Sequence, residues 1–164
     1  MNKRSGLVLL LTSLCFTWGC SFFSMRPAKT QLEVREMQTR AYATSNTKMI
    51  MKAMLNVLQD ESYAVKQADL DLGLLSATKE TDLGGGWNLL FSDKSKNRRR
   101  QKTSIIECTA NVSEYGKESR VRVTFIKKIL DNKGDVMRIE QVSDPNFYQS
   151  FFSKVDKGIF IQKE

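Results

Sequence analysis

The stretch TSIIECTANVSE, residues 103–114, decides the fold: Ile106, Cys108, Ala110 and Val112 face one way, and Glu107, Thr109 and Asn111 face the other. That period of two predicts a half-buried β-strand. Tyr115-Gly116-Lys117-Glu118 follows with turn chemistry, and Val121, Val123 and Phe125 resume the alternation on a partner strand reaching Leu130. One hairpin with one apolar face needs a second layer to cover it.

Toward the C-terminus, Asp131-Asn132-Lys133-Gly134 closes another hairpin, with Gly134 suited to left-handed backbone, and residues 136–142 form a last strand. Asp144-Pro145 opens a helix as N-cap and first-turn proline. Its apolar stripe is Tyr148, Phe152, Val155 and Ile159, with Phe151 beside it and Lys154 and Lys157 outside. Gly158 costs this helix roughly 1 kcal/mol relative to Ala, unless it marks close packing or the fraying end.

Toward the N-terminus, residues 62–67 and 72–79 read as two short strands around a turn at Asp69-Leu70-Asp71. Thr44-Ser45-Asn46 offers N-cap candidates for a helix running to about Asp60. Met49, Ala53 and Val57 form one apolar line and Ile50, Met54 and Leu58 the next, with Lys48, Lys52 and Asn56 opposite. A Met-rich stripe suits either a core face or an adaptable groove, and this spacing favours core. Residues 32–42 alternate through Met37, Thr39 and Ala41, which predicts a strand. The expected architecture is α+β: an antiparallel sheet of about five to six strands, with two amphipathic helices packed on one face in a two-layer, helix-grip-like domain.

Residues 82–102 interrupt the rhythm. Gly84-Gly85-Gly86 leads into Trp87-Asn88-Leu89-Leu90-Phe91, and Lys94, Lys96, Arg98, Arg99 and Arg100 follow. A long segment without periodicity inside a compact domain points to a function or to a solvated loop. The functional alternatives are membrane contact, with Trp87, Leu89, Leu90 and Phe91 entering the interface and Arg98, Arg99 and Arg100 meeting phosphates, or contact with an acidic protein partner. Nucleic acid is the weaker reading, because no aromatic platforms are interleaved with the arginines.

The first twenty residues supply an address. Lys3 and Arg4 precede an uncharged, Leu-rich run ending in Gly19-Cys20, which is a secretory signal too short to span a bilayer. The terminal cysteine makes it resemble a bacterial lipoprotein signal, cut between Gly19 and Cys20, with Cys20 acylated. Thr17 and Trp18 depart from that pattern. Cys15 is a rival position behind a poor cleavage residue, and an ordinary export signal would instead leave Cys20 as a free thiol. Residues 1–19 are thus the signal peptide, residues 20–30 the lipidated cysteine and a tether of at most roughly 33 Å, and residues 31–164 a single domain. Ser21 after the cysteine, by resemblance to enterobacterial lipoproteins, implies the outer membrane with the domain facing the periplasm.

Composition limits the chemistry. Losing Lys3 and Arg4 takes 26 basic residues to 24 against 18 acidic ones, a net charge of +6. The sequence has no histidine, which excludes His-based triads and His metal sites. Cys108, in an apolar alternation, reads as a buried inert thiol, and the Gly84–Gly86 run lacks the Lys-Ser/Thr of a phosphate loop. No cofactor, metal or catalytic pair is expected.

Met37-Gln38-Thr39-Arg40-Ala41-Tyr42, Leu55-Asn56-Val57-Leu58-Gln59-Asp60, Asp71-Leu72-Gly73-Leu74, and Asp144-Pro145 through Phe151-Phe152-Ser153-Lys154 resemble a widespread family of small bacterial lipoproteins with no settled function. The order of elements is also similar to the helix-grip domains of the C-subunit lipoprotein of the barrel-assembly machine. The anchor, one compact domain, the lack of a catalytic constellation and the long amphiphilic segment together predict a non-enzymatic, lipid-anchored accessory or assembly component of an outer-membrane complex, with the membrane and other envelope proteins as partners. The alternative is a lipid-binding or lipid-handling periplasmic module, in which Phe147, Phe151, Phe152 and Phe160 line an apolar cavity.

Overall fold

The alternating stretch lies inside β4 (Gln101–Tyr115), which pairs antiparallel along its length with β5 (Glu118–Asp131), setting Cys108 opposite Phe125, Ala110 opposite Val123 and Val112 opposite Val121. A computed structural model of the protein describes residues 29–83 and 99–162. Around that hairpin stand α1 (Gln31–Met37), β1 (Thr39–Tyr42), α2 (Thr47–Asp60), β2 (Ala64–Asp69), β3 (Leu74–Asp82), β6 (Val136–Gln141) and α3 (Pro145–Ile161). The six strands form one antiparallel sheet in the order β2-β3-β4-β5, and β1 and β6 share the far edge of β5. β1 pairs with residues 119–122 of β5, and β6 pairs with residues 126–130.

One face of the sheet is apolar by register. Leu75 and Ala77 of β3, Cys108, Ala110 and Val112 of β4, and Val121, Val123 and Phe125 of β5 are all buried there. α2 covers it with Ile50, Met51, Ala53, Met54, Val57 and Leu58, and α3 with Tyr148, Phe151, Phe152, Val155 and Ile159. The methionine stripe is therefore core. Fully burying a side chain the size of Phe125 contributes about 2–3 kcal/mol. The result is the two-layer α+β domain that the periodicities predict.

The capping signals act as read. Asn46 is the member of its trio that caps α2, its Oδ1 accepting from the Met49 N–H at 3.0 Å. Asp144 caps α3 by accepting from the Asn146 N–H at 3.0 Å, with Pro145 in the first turn. Gly158 marks close packing: a Cβ built on it would sit 3.3 Å from Ala53 Cβ on α2.

One expectation fails. Residues 32–42 are not a continuous strand, because α1 occupies Gln31–Met37 and only Thr39–Tyr42 pairs with β5. The cause is a capping box. Thr30 Oγ1 accepts from the Glu33 N–H at 3.3 Å, and Glu33 Oε2 accepts from the Thr30 N–H at 2.7 Å, so two orphan donors are satisfied reciprocally. The described residues thus hold three helices, not two.

Candidate functional site

A pocket of about 180 Å³ opens between α3 and the inner face of the sheet. Phe125 (β5) and half-buried Ile106 (β4) form its floor, and Tyr63 stands just before β2. Phe147, Ser150 and Phe151 on the first turns of α3 form its roof. These rings are present for a structural reason as well. Phe125 packs edge to face against Phe147, Phe151, Tyr148 and Tyr63, with centroids 4.8, 5.3, 5.7 and 6.1 Å away. Offset and edge-on contacts are the favourable aromatic geometry.

The rim is charged. Lys79 occupies an inward register position on β3, opposite Ile106, and donates from Nζ to the Glu61 carbonyl oxygen at 2.8 Å. Its ammonium also lies 5.6 Å from the Tyr63 ring centroid. Lys154 of α3 pairs with the Glu61 carboxylate at the end of α2. The rim thus carries two ammonium groups and one carboxylate, paired with Lys154, which leaves the mouth with one net positive charge. Burial, with smaller contributions from the Cys108 thiol and the Glu61 carboxylate, pushes the Tyr63 phenol up to about 12, so it adds no negative charge to the pocket.

A second hollow of about 290 Å³ lies on the outer side of the helices, between α2 and α3. Ala53, Val57, Gly158 and Ile161 line it together with Asp60, Lys157 and Lys154, so Lys154 borders both. Neither hollow holds an activated nucleophile beside a base, and among the described residues no cluster of Cys, Asp and Glu is arranged to hold a metal ion. What the first pocket offers is an aromatic surface beneath a cationic rim, which is suited to binding.

Of the four phenylalanines expected around a cavity, Phe147 and Phe151 line this one. Phe152 is buried elsewhere, with the Arg40 guanidinium 5.7 Å from its ring centroid, and Phe160 is 65% exposed. Tyr63, Phe125, Ile106, Lys79 and Glu61 went unrecognised. The usable signal was Lys79 itself, a lysine following Leu75 and Ala77 on the core-facing period of β3.

Gly19, Cys20, Trp87, Leu89, Leu90, Phe91 and Arg98 lie outside the described residues. Arg99 and Arg100 border the β5–β6 turn. Arg99 Nε donates to the buried carboxylate of Asp131 at 2.7 Å, and the Arg100 carbonyl oxygen accepts from the Asn132 N–H at 3.1 Å. Buried Cys108 carries a free thiol, pushed up to about 12 by its burial.

No family model matches the chain, and no curated protein matches it significantly. Among solved structures it is similar to a DUF4468 family protein from Bacteroides ovatus, at 10% identity over 74% of this chain and 84% of that chain, with a TM-score of 0.38. It is also similar to a TBP-like protein from Parabacteroides distasonis, at 12% identity over 74% of this chain and 90% of that chain, again with a TM-score of 0.38.

Proposed function

We propose that this protein is a non-enzymatic lipoprotein, anchored through Cys20 in the outer membrane and facing the periplasm, that takes the apolar end of an anionic amphiphile into the pocket beneath α3. The observation that carries the reading is the excess of one ammonium group over carboxylate at the mouth of an aromatic-lined pocket. An apolar cavity of about 150 Å³ accepts benzene, so 180 Å³ suits one ring or the last few carbons of an acyl chain. Lys79 and Lys154 then face a carboxylate or phosphate head at the rim.

Native mass spectrometry of the full chain titrated with decanoate tests this. One equivalent is expected to bind, and both Ile106→Trp, which fills the pocket, and Lys79→Gln with Lys154→Gln should weaken binding at least about tenfold. No saturable uptake, or uptake indifferent to all three substitutions, overturns the reading.

A second reading, an accessory component of an envelope complex, is favoured by β6. This edge strand exposes Val136, Met137 and Ile139, which suits main-chain pairing with a strand of another envelope protein. In-vivo crosslinking from residue 139 that recovers lipid and no protein would count against it.

A further inference from the structure

On the opposite face of the sheet, Arg120 and Arg122 project side by side from β5, two residues apart and therefore on one surface. The register places Arg122 between Thr39 of β1 and Asn111 of β4, and Arg120 between Ala41 and Ser113. With Tyr115, the residues Thr39, Asn111, Ser113, Arg120 and Arg122 line a polar hollow of about 240 Å³. The Arg120 guanidinium stacks over the Tyr115 ring, 4.8 Å from its centroid, which fixes the direction in which its fork points.

Three observations make this more than a solvated surface. Neither guanidinium is ion-paired among the described residues, whereas Lys128, further along the same face of β5, pairs with Glu107 of β4. Two like charges on adjacent same-face positions of one strand repel, and an anion between them removes that cost. Ser113 Oγ donates to Asn111 Oδ1 at 2.6 Å, which orients the Asn111 amide so that its N–H₂ remains for another acceptor. Thr39 has already committed its hydroxyl proton to the Arg35 carbonyl oxygen at 2.8 Å, which leaves the two guanidinium forks, the Asn111 amide and the Tyr115 hydroxyl as the donors lining the hollow.

We infer that this hollow is an anion site for a phosphate group, gripped by Arg120 and Arg122 with Asn111 as third donor. Guanidinium forks match phosphate oxygens two at a time, and 240 Å³ leaves room for the organic group that carries the phosphate. The site lies across the sheet from the aromatic pocket and stands or falls independently of it. The phosphate can come from a membrane headgroup or from a soluble ester.

The test uses the full chain, the double variant Arg120→Gln with Arg122→Gln, and a charge-matched control, Lys52→Gln with Lys133→Gln. Each is titrated calorimetrically with glycerol 3-phosphate and sedimented with phosphatidylcholine vesicles with and without phosphatidylglycerol. The expected result is that the arginine variant loses at least about tenfold in affinity for one or both probes while the lysine control loses little. Loss on glycerol 3-phosphate identifies a soluble ester, and loss confined to phosphatidylglycerol vesicles identifies a headgroup. Equal losses in both variants mean net charge alone, and no binding of either probe by the wild type means no site. Either result overturns the proposal.

Discussion

The hydroxyl of Tyr148 donates to the carbonyl oxygen of Val142 at 3.0 Å, and its oxygen accepts from Gln38 Nε2 at 3.2 Å and from the Phe125 N–H at 3.4 Å. One buried phenol thus ties α3 to β5, to the end of β6 and to the residue between α1 and β1. Tyr148→Phe keeps the ring and strands three polar groups. We expect a loss of about 1–3 kcal/mol, read as a lower urea midpoint with an unchanged slope. An unchanged midpoint would mean that water replaces the hydroxyl.

Gly73, in the turn between β2 and β3, takes φ +66°, and a Cβ there would sit 2.0 Å from the Val112 carbonyl oxygen. Its own carbonyl accepts from the Val112 N–H at 2.8 Å, so the turn cannot back away without losing a ladder bond. Gly73→Ala is expected to cost more than about 2 kcal/mol. Gly134→Ala, at φ +89° with nothing within 4 Å of the added carbon, bears only the left-handed penalty of about 1–2 kcal/mol. Urea midpoints of the two variants measured side by side check the ranking.

The helices α2 and α3 and the β4–β5 hairpin were legible because each repeats its period often enough to stand out. α1 was not. Seven residues make two turns with one buried side chain, Val34, while the adjoining Thr39–Tyr42 supplies real alternation that extends backwards through Met37. The capping box at Thr30 and Glu33 was the local signal against a strand. The pocket was half legible. Phe151 stands beside the helical stripe and Phe147 one residue before its start, but Tyr63, Lys79 and Phe125 come from three separate stretches that only the tertiary fold brings together. Arg120 and Arg122 sit on the polar half of an alternation, and that pattern reads equally well as plain solvation.

Asp131 should set an acid limb. Its Oδ2 accepts from Arg99 Nε, and its Oδ1 accepts from the Lys133 and Asp135 N–H groups at 2.8 and 2.9 Å. The Arg99 guanidinium, helped by those two amides, holds the carboxyl at about 2, against 3.8 ordinarily. A group whose folded value is depressed contributes stability above its unfolded value and loses it as pH falls toward the folded one. The window is therefore between about pH 4 and pH 2. The difference in urea midpoint between wild type and Asp131→Asn should be constant above pH 4 and shrink toward pH 2. A difference that does not change with pH would show that the ionised form is not what the turn requires.

Thiol counting separates the anchor from an ordinary export signal. Cys15 leaves with residues 1–19 under either reading, so only Cys20 and Cys108 remain in the mature chain. Cys108 is 1% exposed and its thiol is pushed up to about 12, so at pH 8 it carries almost no thiolate and offers a reagent no access. With Cys20 acylated, protein recovered from membranes should show no reactive thiol when native and one equivalent in denaturant. With Cys20 free, its thiol should titrate without denaturant, giving one equivalent native and two denatured. Labelling with a radioactive fatty acid that marks the wild type and not Cys20→Ala would agree with the first pattern. One rapid native equivalent on wild-type protein would overturn the proposed acylation of Cys20.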